Sequence, residues 1–169
     1  MSSRRIVMVG NSIHFAPLLL VAAISLVGQD WRSIVPAKTT RTEVERILGH
    51  VDTDYFARYQ LPDGNLFIEY SSGPCRPGRK GGWNFPVNVV VSITFYPKVK
   101  PRLSDLKLNR KKLRRVADPH VGGIIYYLND EDGIVYEIQE GRVDSIEYGP
   151  AKEYDYLQCD KLESPPKVH

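Results

Sequence analysis

The chain has 169 residues, of which 42% are hydrophobic and 25% charged, with 23 Lys and Arg against 20 Asp and Glu. Arg4 and Arg5 belong to an N-terminal leader without acids, so its removal leaves 21 bases against 20 acids on a domain-sized remainder. A near-neutral chain of that length fits one domain with a real core and makes no case for nucleic acid as a partner.

Residues 1–28 read as a cleavable signal peptide. Two arginines precede an uncharged stretch from Phe15 to Val27, and the first acid is Asp30. A bilayer span needs about 20 apolar residues; this run is shorter and follows Asn11, Ser12 and His14. A permanent membrane span is therefore the weaker reading. Ala23 and Ser25 are the small residues a signal peptidase favours, with Gly28 or Gln29 as alternative last residues removed. The first cysteine is Cys75, so no lipid anchor follows from the leader. The expected product is exported to the periplasm or the exterior, with a single domain over 29–160 and a loose tail over 161–169.

The two cysteines, Cys75 and Cys159, are far apart in a chain expected to meet an oxidising compartment, and a single disulfide follows. No CxxC or His-x-x-x-His spacing supplies the ligands of a metal site, and no cofactor is expected.

After the leader, Thr40-Arg41-Thr42-Glu43 has the spacing of a capping box and predicts a helix start. Val44, Ile47 and Leu48 share one face, and Gly49 suits the left-handed residue that ends a helix. From Tyr55 the period becomes two, up to Leu61 and the turn Pro62-Asp63-Gly64-Asn65. Leu66–Ser71 returns as a second strand. A loop from Ser72 to Pro86 follows, and then a third strand that places Val89, Val91, Ile93 and Phe95 on one face and closes at Pro97.

Lys98 to Arg115 holds nine basic residues and one acid, with a short helix expected over about 109–116. This run has the charge to touch acidic lipid or nucleic acid. Val116 to His169, however, carries twelve acids against four bases, and compensation within the chain is the stronger account. Three strands follow: Ile124–Leu128, Ile134–Gln139 and Arg142–Tyr148, joined at Asn129–Gly133 and Glu140-Gly141. The alternation slips between Val143 and Ile146, where a bulge is expected.

The two halves have the same order of helix and three strands. Ser92-Ile93-Thr94-Phe95-Tyr96-Pro97 matches Ser145-Ile146-Glu147-Tyr148-Gly149-Pro150 at an offset of 53, and Gly64 with the strand after it aligns with Gly133 at an offset of 69. The difference falls on the Ser72–Pro86 loop, which the second half replaces by Glu140-Gly141. The expected fold is α+β: two tandem α-β-β-β units, over 39–97 and 103–150. They would form one mostly antiparallel six-stranded sheet with short helices on one face. The opposite face would stay partly open, with tyrosines such as Tyr126 and Tyr127 on both sides of a strand.

Thr39, Val44 and the Leu48-Gly49 ending, followed by strands and a turn, resemble the α-then-hairpin unit of the small lipoprotein of the outer-membrane β-barrel assembly machinery. Doubled in tandem, that unit is similar to the β-lactamase-inhibitor-protein fold. The chain departs from the lipoprotein pattern in lacking a lipidation cysteine, in His50, where that family usually has a proline, and in the inserted loop. The resemblance implies an exported binding or assembly module and carries over no catalytic residue.

The inserted loop is the candidate binding element. Arg76, Arg79, Lys80, Trp83 and Asn84 combine positive charge, a large aromatic and glycines that permit close backbone approach. This suits an envelope protein anchored by Trp83 or, alternatively, a glycan or small anion. A purely structural loop, pinned by Cys75 with Trp83 packed on the sheet, is the competing account. His50 and His120 stand without a nucleophile elbow, phosphate loop or metal motif, so the chain is read as non-enzymatic, with a hydrolase as the least supported alternative.

Overall fold

A computed structural model describes residues 31–76 and 81–162. The expected signal peptide lies outside the described residues, as do Arg79, Lys80 and residues 163–169.

Helix α1 spans Arg41–Leu48. The Glu43 carboxylate accepts the Thr40 backbone N–H at 2.7 Å and its hydroxyl at 2.8 Å, which closes the first turn where the capping pattern places it. Gly49 ends the helix as expected, its N–H donating to the Glu45 carbonyl at 2.9 Å, but at φ +94°, ψ 160° rather than in the left-handed helical conformation. Val44 is fully buried, with Ile47 and Leu48 half-buried beside it.

The strands are β1 (Phe56–Leu61), β2 (Gly64–Tyr70), β3 (Val90–Pro97), β4 (Arg114–Ala117), β5 (Ile124–Asn129), β6 (Ile134–Gln139) and β7 (Arg142–Tyr148). They form one sheet in the order β1-β2-β3-β7-β6-β5-β4, antiparallel at every pairing. The class is α+β with a large antiparallel sheet, but the sheet has seven strands rather than the expected six.

The added strand comes from the segment expected to be helical. Arg110–Lys112 makes one 3-10 turn, with the Asn109 side chain accepting the Lys111 N–H at 3.2 Å, and Leu113 is then extended at φ −101°, ψ 124°. A continued helix would stack Arg110, Lys111, Lys112, Arg114 and Arg115 three and four residues apart, as like charges. As a strand, Arg114–Ala117 instead gains a ladder with β5, from Arg114↔Leu128 to Ala117↔Ile125.

Two bulges adjust which side chains face the core. In β6–β7 the pairing passes from Glu137↔Ser145 to Ile138↔Val143, leaving Asp144 as the extra residue where the alternation slips. In β2–β3 it passes from Glu69↔Ser92 to Tyr70↔Val90, leaving Val91 extra. The expected face of Val89, Val91, Ile93 and Phe95 is corrected accordingly: Val90 is buried, and Val91 is half-buried and lines the opposite side. A one-residue slip inverts every side chain after it.

The core lies on one face. Leu66, Ile68 and Ile93 meet Val44 of α1 and the N-terminal Trp31 and Ile34. Trp31 sits 5.0 Å from the Phe95 ring and 6.0 Å from the Tyr148 ring, and so spans the seam between β3 and β7. That seam pairs Ile93↔Tyr148, Thr94↔Glu147 and Phe95↔Ile146. Beyond it, Tyr136, Ile138 and Val143 form a second cluster under Leu103, Leu106, Leu108 and Leu113. After β7 a 3-10 segment, Lys152–Leu157, leads into α2 (Cys159–Leu162), which includes Lys161. Among the described residues no helix is long and apolar enough to cross a membrane.

Candidate functional site

Cys75 and Cys159 are joined by a disulfide, with Cα atoms 5.5 Å apart. Backbone bonds extend that junction: Cys159 N–H donates to the Gly82 carbonyl at 3.0 Å and Asn84 N–H to the Leu157 carbonyl at 2.8 Å. Trp83 and Gln158 form an isolated antiparallel bridge between these bonds. Ser71 braces the root of the loop, accepting the Gly73 N–H at 3.1 Å and donating to the Phe85 carbonyl at 3.2 Å. The loop is therefore held by a covalent bond and a short ladder to the C-terminal segment.

Trp83 lies flat against Phe85, with centroids 5.6 Å apart and planes 1° from parallel. Tyr154 meets the edge of Phe85 at 6.3 Å. Phe85 is buried and Trp83 half-buried, so one ring supports the other at the surface. Two hollows open beside Trp83 on the sheet face opposite the core. One, of about 390 Å³, is lined by Tyr55, Phe56, Glu69, Arg76 and the disulfide. The other, of about 450 Å³, is lined by Glu69, Ser92, Leu128, Asp130, Val135 and Glu147. Both share Glu69, Gly82, Trp83 and Val91, and together they form a groove that the loop overhangs.

The groove's floor is acidic. Ser92 Oγ donates to Glu69 Oε2 at 3.2 Å in the floor; outside the two hollows, Ser145 Oγ, on the same strand as Glu147, donates to Glu137 Oε2 of β6 at 3.0 Å. Removal from water at the floor of the groove, and then the nearby charge of Glu69, push the Glu147 carboxyl above its usual range. More than a third of Glu147 still meets solvent, so it is accessible to a ligand while poorly hydrated on its sheet side. The rest of this face carries a smaller aromatic group: Tyr96 packs edge-on to Phe67 at 5.4 Å, and Arg58 lies 5.2 Å over the Phe67 ring.

Of the residues expected to bind, Trp83 lines both hollows and Arg76 is exposed at the edge of one. Asn84 holds the loop instead: its Oδ1 accepts the Cys75 N–H at 3.2 Å. Arg79 and Lys80 lie outside the described residues. Glu69 and Glu147 were not anticipated. Strand alternation places each opposite a core position, but only the β3–β7 pairing brings them to one groove. His50 is exposed, with Nδ1 3.1 Å from Glu45 Oε1, and the exposed His120 donates its backbone N–H to Asp118 Oδ1 at 2.7 Å. Neither lines these hollows. The turn at Asp118 closes on its own carboxylate, which the His120 and Val121 backbone N–H groups hold below the usual range. Among the described residues no cluster of His, Cys, Asp and Glu is arranged to hold a metal ion.

Comparison with known proteins returns no match: no family model, no curated protein and no solved structure is significantly similar to the chain.

Proposed function

We propose that the protein is a non-enzymatic interaction module of the cell envelope, exported behind the 1–28 signal peptide, which captures a protein partner through the loop-walled groove. The observation that carries this is Trp83, half-buried on a Phe85 base and shared by two hollows on an open sheet face. Rigidly held aromatics at the centre of a concave patch dominate binding energy at protein interfaces. The carboxylates of Glu69 and Glu147 favour a basic side chain from the partner and weigh against a small anion in the same place. The disulfide fits an oxidising compartment.

A glycan is the second reading, because an aromatic face beside carboxylate acceptors also suits a sugar ring. A hydrolase centred on His50 or His120 has less support, since neither histidine faces the groove. The tandem α-β-β-β origin, and with it the resemblance to the assembly lipoprotein, finds support at the seam. There the two Ser-Ile-x-aromatic motifs run antiparallel, each isoleucine opposite the other's aromatic. Leu66 opposes Phe95 as Ile134 opposes Tyr148, which equates Leu66 with Ile134. That is one residue short of the spacing obtained by aligning Gly64 with Gly133, and it keeps both residues on the core face. The second unit would then carry an added strand, β4, and 3-10 turns in place of α1.

The test is affinity capture from an envelope extract with the mature protein and its E69Q/E147Q variant. Capture should fall about tenfold or more, the cost of losing charge-assisted contacts, with no loss of thermal stability. Unchanged capture by a folded variant would refute the reading, and saturable binding to a glycan panel without protein capture would replace it with the second.

A further inference from the structure

The basic stretch after β3 borders a separate concave site on the core side of the sheet. A pocket of about 310 Å³ opens between the 3-10 turns at Leu103–Leu106 and Arg110–Lys112 and the strands beneath them. Ile125, Tyr127 and Ile138 form its floor, Leu103 a wall, and Arg102 and Arg110 stand at its rim. The floor belongs to the second core cluster, where only Tyr136, Ile138 and Val143 are buried. All six residues of β5 are half-exposed, because the turns cover this part of the sheet less fully than α1 covers β1–β3.

The rim charges are uncommitted. Arg114 pairs with Asp130 through two 2.9 Å bonds and Lys100 pairs with Asp144. Arg102 and Arg110 line the pocket and Lys107, Lys111 and Lys112 flank them in sequence; none of these side chains forms an ion pair among the described residues, while the Arg102 backbone N–H donates to Asp105 Oδ2 at 3.0 Å. Guanidinium groups present a fork of donors that matches a carboxylate or phosphate. Placed above an apolar hollow, they define a ligand with one acidic end and one greasy end.

We propose that this pocket binds a single-chain anionic amphiphile, its alkyl chain on Ile125, Tyr127 and Ile138 and its acid group between Arg102 and Arg110. The volume lies at the small end of ligand sites, which suits one chain entering as a monomer rather than a two-chain lipid held in a bilayer. The site is on the opposite face from the Trp83 groove and stands whether or not that groove captures a partner.

Titrating the full chain with decanoate below its micelle concentration, followed calorimetrically, should give saturable binding at one site. Decanol and decyltrimethylammonium should bind about tenfold more weakly, lacking the charge-assisted bond. The R102Q/R110Q variant should lose about tenfold of its affinity for decanoate, with decanol binding and the unfolding midpoint unchanged. R110Q alone, on an exposed 3-10 turn, keeps the test usable if the double variant misfolds. Absence of saturable binding, equal affinity for the three amphiphiles, or indifference of decanoate to the arginine substitutions would each overturn the assignment. Cosedimentation with anionic phospholipid vesicles without binding of monomeric decanoate would likewise overturn it, giving the basic stretch to a membrane surface instead.

Discussion

The sheet's two sides of the β3–β7 seam bury one face by different means. Over β1–β3, a capped two-turn helix and the aromatic N-terminal segment enclose Leu66, Ile68 and Ile93 almost completely. Over β4–β7, two 3-10 turns and scattered leucines leave the strands half-covered. Both stretches supply leucine or isoleucine at workable intervals. Both open on a carboxylate that accepts a backbone N–H three residues back, Glu43 from Thr40 and Asp105 from Arg102. What differs is the continuation, since α1 runs on to Leu48 whereas the second stretch turns off at Lys107, at φ +52°, and then repeats positive charge. The well-covered side can supply rigidity to the open face above it, and the thinly covered side leaves room for a ligand.

The largest effect expected from disturbing this arrangement is loss of the disulfide, which ties the loop of the first side to the C-terminal segment of the second across 84 residues. C75S/C159S should cost about 4–5 kcal/mol in the chain-entropy account, read by equilibrium denaturation. A loss below about 1 kcal/mol would mean that the Trp83 ladder alone holds the loop.

Truncation in the two cores compares them directly. Ile68, with no exposed surface, should lose about 2–5 kcal/mol as Ile68→Ala, whereas Ile125→Ala in half-exposed β5 should lose about 1 kcal/mol. Similar losses in chemical denaturation would abolish the distinction between a closed and an open core.

The smallest effect is in pH dependence, and its sign is opposite at two glutamates. Glu43, held below its usual range by the Thr40 backbone N–H and hydroxyl, contributes stability above the unfolded-state value that is lost as pH falls through its lowered pKa. Glu147 is raised, so the folded state binds its proton more tightly and stability declines as pH rises from the unfolded value through the raised one. E43Q should flatten the acid limb of a melting-temperature profile. E147Q should raise the melting temperature at neutral pH and remove the decline. A neutral-pH loss in E147Q would contradict the account of its desolvation.

Much of the local structure was legible in the sequence. The capping residues, Gly49 and the apolar face of α1 placed that helix, and the hairpin turns and most strands followed from alternation. The slip near Asp144 marked a bulge, and with only two cysteines the bridge had one possible pairing. The expected helix over 109–116 failed because apolar spacing was read without the repulsion among its neighbouring cations, and because the gain from pairing with β5 is not written locally. Val91 was misplaced because a bulge between β2 and β3 belongs to the pair of strands. The groove was half visible: Trp83 and Arg76 stood out by type, while Glu69 and Glu147 looked like ordinary exposed positions of amphipathic strands.

Sequence alone determined what depends on a few consecutive residues: where turns close, where the helix starts and stops, and which side chains alternate. The joining of β3 to β7, the recruitment of β4 and the meeting of Glu69, Glu147 and Trp83 in one groove were decided only by the tertiary structure. Those contacts bring together residues dozens of positions apart. Their free energy is the balance of loop closure against burial and pairing across the whole sheet, a balance that no short stretch of the chain contains.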